Sequence, residues 1–324
     1  MIIDTNPEFG IELTLVIPYA YYLHTQGKLE KVITSKGMKP FYYFCNNVEE
    51  KYNYRTVDNK AAGMDSIPNN WIYGFKENAK LYKDEWPEWE EFADVERGCG
   101  ILDYRQWKLP NYIEHFKNDL INLDKPFIVI SNRYNWEHGQ PPKGYFDIKC
   151  LYNIFNTLTE KGYAVIYKRP KNTEFPLDQN EINTLRNNES LMADGEGIGP
   201  VTDFELTSFY KDVHLLDDIS TNHPNLSYNQ LQLNLFANAE GFITMGGGST
   251  LFPCFFKKPT VAYYGGTLTE INRKCFWSDS KGNKNIKNYH YMINPNLIPF
   301  VDKDSKDMED SYKNFIKKIK QVFK

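Results

Sequence analysis

The chain has 324 residues, of which 41% are hydrophobic and 25% charged, with a formal net charge of −4. That length accommodates two cores, since domains usually hold about 100–200 residues, and the dispersed Lys and Arg leave no basic footprint for DNA or RNA. No apolar run approaches the ~20 residues that cross a bilayer, the start lacks a secretory leader pattern, and Cys45, Cys99, Cys150, Cys254 and Cys275 have neither zinc nor disulfide spacing, so a cytoplasmic protein with reduced thiols is expected.

The predicted elements alternate between strand and helix from the start. An apolar segment, 13–22, follows Gly10, and 31–35 and 41–44 read as short strands. The stretch 48–107 is less regular and rich in Trp and Tyr, with an acidic run at 84–91. An amphipathic helix is expected over 111–123, and Pro126 ends that unit. From there the rhythm becomes regular: strand 127–131, helix 147–161, strand 164–167, helix 178–187, strand 213–216, helix 227–238, strand 241–245, helix 249–256 and strand 260–264. Helices of roughly 10–15 residues between short apolar strands imply right-handed crossovers and a parallel sheet. A boundary near 122–126 separates the two halves. The last segment places Tyr312, Phe315, Ile316, Ile319, Val322 and Phe323 on one helical stripe, with acids first and Lys last as the helix dipole favours. It is expected to dock on the protein itself, although its basic end also suits peripheral membrane contact.

The segment 245–250 is the most informative. Gly246, Gly247 and Gly248 follow a strand, and Ser249 and Thr250 stand where a new helix leaves backbone N–H groups unpaired. A tight turn needs one glycine, whereas three followed by two hydroxyls suit the close approach of a phosphate. The spacing matches neither the dinucleotide fingerprint nor the P-loop. At other strand ends, Arg133 follows 127–131, Lys168 and Arg169 follow 164–167, and Asp217 and Asp218 follow 213–216. Cations there suit phosphate and carboxylates suit ribose hydroxyls, but solvated loop charges and helix capping explain the same residues. Tyr228, opening the next helix, could touch a nucleotide.

Three segments in chain order carry a family resemblance: Gly10-Ile-Glu-Leu-Thr-Leu-Val-Ile-Pro18, Val129-Ile-Ser-Asn-Arg133, and Asn238-Ala-Glu-Gly-Phe-Ile-Thr-Met-Gly-Gly-Gly-Ser-Thr-Leu251. Over nearly the whole chain this resembles the two-domain GT-B glycosyltransferases, nearest in pattern to the heptosyltransferase-like group. The early turn departs from that group's Gly-Asp, and Met245-Gly-Gly-Gly-Ser-Thr250 replaces its Asp-Thr/Ser-Gly. The resemblance implies an α/β fold of two Rossmann-like domains facing each other across a cleft: 1–124 for the acceptor, 125–302 for the nucleotide sugar, and 303–324 as a helix crossing back onto the N-terminal domain. It implies a hexosyl- or deoxyhexosyltransferase for polysaccharide or glycan synthesis, working as a monomer or dimer. The donor is a nucleotide-diphosphate sugar, with UDP or GDP as the nucleotide, and the acceptor a glycan or glycolipid. No cofactor and no metal are implied.

In such a reaction Arg133, Lys168, Arg169, Gly246, Gly247, Gly248, Ser249 and Thr250 would hold the diphosphate. Asp217, Asp218, Tyr228 and Glu270 would hold the nucleoside or donor sugar. Glu12, at the edge of the first helix, is the candidate base for the acceptor hydroxyl, with His138 of Trp136-Glu-His-Gly139 second. Complementing the helix dipole explains Glu12 equally well. Two other readings stay open: a catalytically inactive GT-B-like module that binds nucleotide or carbohydrate, and another two-domain α/β enzyme such as a nucleotide-sugar epimerase.

Overall fold

The computed structural model describes residues 1–55, 72–73, 101–102, 109–121, 123–134, 145–169, 185, 191–193, 196–246, 248–264, 293–300 and 308–324. Strands β1 (Ile2–Asp4), β2 (Lys31–Ser35) and β3 (Val48–Tyr52) form a parallel sheet in that order. Between β1 and β2 the chain runs through helix α1 (Phe9–Ile11), a π turn (Glu12–Val16) and helix α2 (Ile17–Thr25). The N–H of Ile17 reaches the carbonyl of Glu12 in the π turn. Pro18 follows directly, and without an N–H it cannot serve the carbonyl four residues back, so a wider turn there relieves the helix.

Two expectations for this half change. The segment 41–44 is not a strand: Lys39–Tyr42 forms a 3₁₀ turn, with Pro40 in its first turn where a missing N–H costs nothing. The helix expected over 111–123 shrinks to α3 (Tyr112–Phe116). It starts where the Asn111 side chain accepts from Glu114 N–H and ends as Asn118 captures the Leu120 N–H at 3.1 Å, a local bond that competes with helix. Short antiparallel pairs form between β4 (Ile72–Tyr73) and β5 (Ile101–Leu102) and, later, between β8 (Leu191–Ala193) and β9 (Glu196–Ile198).

The second half follows the expected order closely. Strands β6 (Phe127–Ser131), β7 (Ala164–Lys168), β10 (Val213–Leu215), β11 (Gly241–Met245), β12 (Thr260–Tyr263) and β13 (Leu297–Phe300) form one parallel sheet ordered β10-β7-β6-β11-β12-β13. Every residue of β6, β11 and β12 is buried, as expected of parallel strands covered on both faces. The helices are α4 (Ile148–Glu160), α5 (Asp203–Thr207), α6 (Leu216–Asn222), α7 (Tyr228–Asn238), α8 (Gly248–Cys254) and α9 (Met308–Val322). Caps set their starts: Asp147 accepts from Cys150 N–H, Ser227 from Gln230 N–H, and Thr202 and Glu205 form a reciprocal capping box. The helix expected over 178–187 falls almost wholly outside the described residues. No described helix is long and apolar enough to cross a membrane.

Two apolar clusters divide at the six-stranded sheet, whose faces they cover. One combines Val129, Ile166 and Phe242 with α7, α8, α2, β2 and the 3₁₀ turn. Phe252 of α8 meets both Phe9 and Phe41, at 6.2 and 5.2 Å between ring centroids. The other combines Ile130, Tyr167 and Met245 with α4 and α9. Here the expectation for the last helix is corrected: α9 covers the six-stranded sheet instead of crossing back onto the N-terminal half. Phe315 stacks on Phe146 at 5.6 Å, Tyr263 and Ser311 share a 2.7 Å hydrogen bond, and Phe323 packs where Gly241 has no Cβ. A Cβ there would come within 2.6 Å of both the Phe323 ring and the Pro259 carbonyl. The stripe docks over β12, whose Tyr263 ring meets Tyr312 and Phe315.

Candidate functional site

Taken in chain order, the six parallel strands start at β6 and add β7 and β10 on one side, then cross to β11, β12 and β13 on the other. The order reverses between β6 and β11, and in open parallel sheets ligands bind outside the carboxyl ends of the strands at that switch. Asn132 and Arg133 leave β6 there, and Gly246 and Gly248 follow β11. Lys168 and Arg169 end β7 next door, and Asp217 and Asp218 open α6 after β10. Topology thus gathers most of the sequence-predicted residues along one edge, but their side chains behave differently.

Gly246 is a glycine because of its neighbour: a Cβ would strike the Tyr264 ring at 2.3 Å. At Gly248, exposed at the first position of α8, a Cβ would meet nothing within 4 Å. The hydroxyls of Ser249 and Thr250 both donate to the Met245 carbonyl at 2.6 Å, and Thr250, fully buried, also lies 2.8 Å from the Thr244 hydroxyl. They shape the turn from within. Gly247, His138 and Glu270 lie outside the described residues.

The Lys168 ammonium sits 5.6 Å from both the Phe236 and Phe252 ring centres, an arrangement that holds a cation beside α8. Arg169 is turned away. Its guanidinium is buried, donating from Nε and Nη2 to the two Asp203 oxygens at 2.5 and 2.8 Å, and packs over Phe204 at 4.2 Å. Tyr167 donates to the same Asp203 at 2.7 Å. Burial, reinforced by the adjacent carboxylate, holds the Tyr167 phenol well above its ordinary pKa, so it stays a donor. Asn132 completes this cluster, donating to Tyr167 OH at 3.0 Å. Sequence reasoning missed Asn132, Tyr167 and Asp203; the Thr202-x-x-Glu205 capping pattern is the local signal that could have found the turn that carries Asp203.

At the starts of α6 and α7, Asp218 is exposed, while Asp217 lies against the Tyr228 hydroxyl and, after burial, is the second cause of that phenol's raised pKa. Next to it, Asn229 Nδ2 donates to the Gly37 carbonyl at 2.7 Å, tying α7 to the turn after β2. A Cβ on Gly10 would lie 3.8 Å from Leu251 of α8, so the turn after β1 also abuts this edge.

Glu12 lies inside the three-stranded layer. It is fully buried: Oε1 accepts from Thr34 Oγ1 at 2.5 Å and Tyr42 OH at 2.8 Å, and Oε2 pairs with Arg55 Nη1 at 2.6 Å. Arg55 also donates to the Pro7 carbonyl at 2.7 Å and lies 5.3 Å from the Phe9 ring centre. One carboxylate thereby ties together the segments that follow β1, β2 and β3.

No protein-family model matches the chain, and no curated protein does. Among solved structures it is similar to the bacterial iron-containing dodecameric glycosyltransferase TibC from enterotoxigenic E. coli H10407, at 13% identity and TM-score 0.40, over 97% of this chain and 67% of that one. It is also similar to the dodecameric iron-containing heptosyltransferase TibC in complex with ADP-D-beta-D-heptose, at 12% identity and TM-score 0.38, over 94% and 65%. A third is the wall teichoic acid polymerase TagF, at 9% identity and TM-score 0.25, over 99% and 60%. The chain therefore spans about two thirds of the length of TibC and less of TagF.

Proposed function

We propose that this chain is a glycosyltransferase that moves a sugar from a nucleotide-diphosphate donor to a glycan or glycolipid acceptor without a bound metal. The observation that carries the nucleotide part is the strand-order reversal between β6 and β11, which brings Arg133 and Gly248 to the one edge position where open parallel sheets take their ligands. The transfer chemistry rests on the resemblance of the three sequence segments to GT-B enzymes. In this reading the exposed backbone at Gly248 and the Arg133 guanidinium hold the diphosphate, where charge develops as the donor bond breaks, and the cation of Lys168 adds to the field. The half built on β1–β3 receives the acceptor, with Gly10 beside Leu251 of α8 and Gly37 bonded to Asn229 of α7. The base is assigned to His138 rather than to Glu12, whose oxygens are both engaged away from solvent.

A second reading, a binding module without transfer activity, is favoured by that burial of Glu12. Both readings are tested by melting the protein with UDP, GDP, ADP, CMP and dTDP, with and without EDTA. A nucleotide at a hundred times its Kd raises stability by about 2.7 kcal/mol, and the rise should persist in EDTA. A Cβ added at Gly248 meets nothing among the described residues within 4 Å, so Gly248→Leu should leave the unliganded melting temperature unchanged and weaken that nucleotide by at least about tenfold. A Gly248→Leu protein that binds as wild type removes the site. Release of nucleotide from the matching sugar nucleotide then separates enzyme from binder.

A further inference from the structure

We propose that Asn132 is the positioning residue that aims Arg133 at the diphosphate, by cinching the two ends of segment 133–145 at the switch point; the idea rests on the functional reading above. The Asn132 carboxamide pairs with the backbone of Phe146 as one peptide pairs with another in a sheet. Phe146 N–H donates to Oδ1 at 2.9 Å, and Nδ2 donates to the Phe146 carbonyl at 3.0 Å. The Asn132 N–H meanwhile donates to the Lys168 carbonyl at 2.9 Å, extending the β6–β7 ladder one residue past the strand. Segment 133–145 thus departs from and returns to a single fixed residue. Directly above, the Tyr134 and Tyr145 rings meet edge to face at 4.7 Å and close the same neck.

The orientation of that amide is dictated from behind. Arg169 and Asp203 form a bidentate ion pair with both side chains fully buried, and Asp203 accepts a hydrogen bond from the Tyr167 hydroxyl. The Tyr167 oxygen is left to accept, so it can be served only by the NH₂ end of Asn132. A buried ion pair of this kind is a poor source of net stability, because desolvation offsets the attraction. What it supplies is a single rotamer for Asn132. Arg133 is the first residue beyond this pin, so its Cα is fixed relative to β6 and β11. A guanidinium must match an anion geometrically to bind it in two-pronged fashion, and placement to about half an ångström is what a supporting shell provides.

The test is a double-mutant cycle read by titration calorimetry with UDP, GDP, ADP and inorganic pyrophosphate. Arg133→Ala and Asn132→Ala should each weaken the tightest of these by about tenfold, and the double variant should bind within about twofold of Arg133→Ala alone, since the two act as one unit. A purely structural Asn132 predicts losses that multiply in the double variant, and that result, or an Asn132→Ala protein binding as wild type, overturns the proposal. Should Asn132→Ala not fold, Tyr167→Phe takes its place in the cycle: it removes only the hydroxyl that orients the amide, keeps the ring against Phe155, and should show the same non-additivity with Arg133→Ala. If the wild-type protein binds none of the four probes, the nucleotide reading itself fails and takes this inference with it. If it binds one and the cycle is additive, only the role of Asn132 falls.

Discussion

Glu12 and Arg55 stand 43 positions apart and meet with both side chains nearly or fully out of water. Deleting the acid leaves a guanidinium buried without its counterion, a change that typically costs about 3–5 kcal/mol. Glu12→Ala should therefore lower the unfolding free energy measured by urea denaturation by that much, while Glu12→Gln, which keeps the shape and part of the bonding, should lose less. An alanine variant within about 1 kcal/mol of wild type would remove the structural role assigned to this pair. The acid's position beside the first helix was readable from Gly10 and Pro18, but its partners were not. Thr34, Tyr42 and Arg55 come from three later segments, and nothing local marks them as donors to one carboxylate. Ser249 and Thr250 illustrate the same limit: hydroxyls after a glycine turn suit a phosphate, yet the Met245 carbonyl claims both.

Helix α7 shows what a whole element can conceal. Residues 231–237 are all buried, because the six-stranded sheet covers one side of the helix and α3 and the 3₁₀ turn cover the other. Within it, both side-chain amide atoms of Asn234 are buried with no hydrogen-bond partner among the described residues. An unpaired buried amide costs about 1–3 kcal/mol, and an apolar group of the same shape removes the penalty. Asn234→Leu should thus raise the melting temperature, checked by calorimetry; a fall would mean that the site holds a water bonded to both atoms. The ends of α7 were legible from its apolar run and from Ser227. That it would be enclosed on all sides was not, since nothing local shows that the polar Gln232 and Asn234 are buried. Elements set by long apolar runs, such as β6, β11 and α4, were recovered nearly to the residue. Short ones decided by a single proline or by Asn118 were misread.

At the scale of the molecule, a single apolar cluster extends from Ile3 through Phe252 to Leu297. Phe252 touches Phe9 and Phe41 on one side and Phe236 and Phe256 on the other. Phe252→Ala should cost about 3–5 kcal/mol. Because the cluster is shared, hydrogen exchange at β2 and β6 should lose protection in one transition, in wild type and variant alike; two separate transitions would show that each half holds itself together. The parallel sheet was legible in the alternation after residue 126, but the partition of the core was not, because periodicity reports that a face is apolar and not what covers it. The placement of α9 has a further consequence for how the molecule comes into being. As the chain leaves the ribosome, β11 and β12 emerge before the helix that packs on their α4 side and before the phenyl ring that fits the notch at Gly241. Until α9 has cleared the exit tunnel, that side of the nascent sheet has α4 but not α9 as cover. A holdase, or a slow stretch of translation before residue 308, would act on that interval and leave the finished fold unchanged.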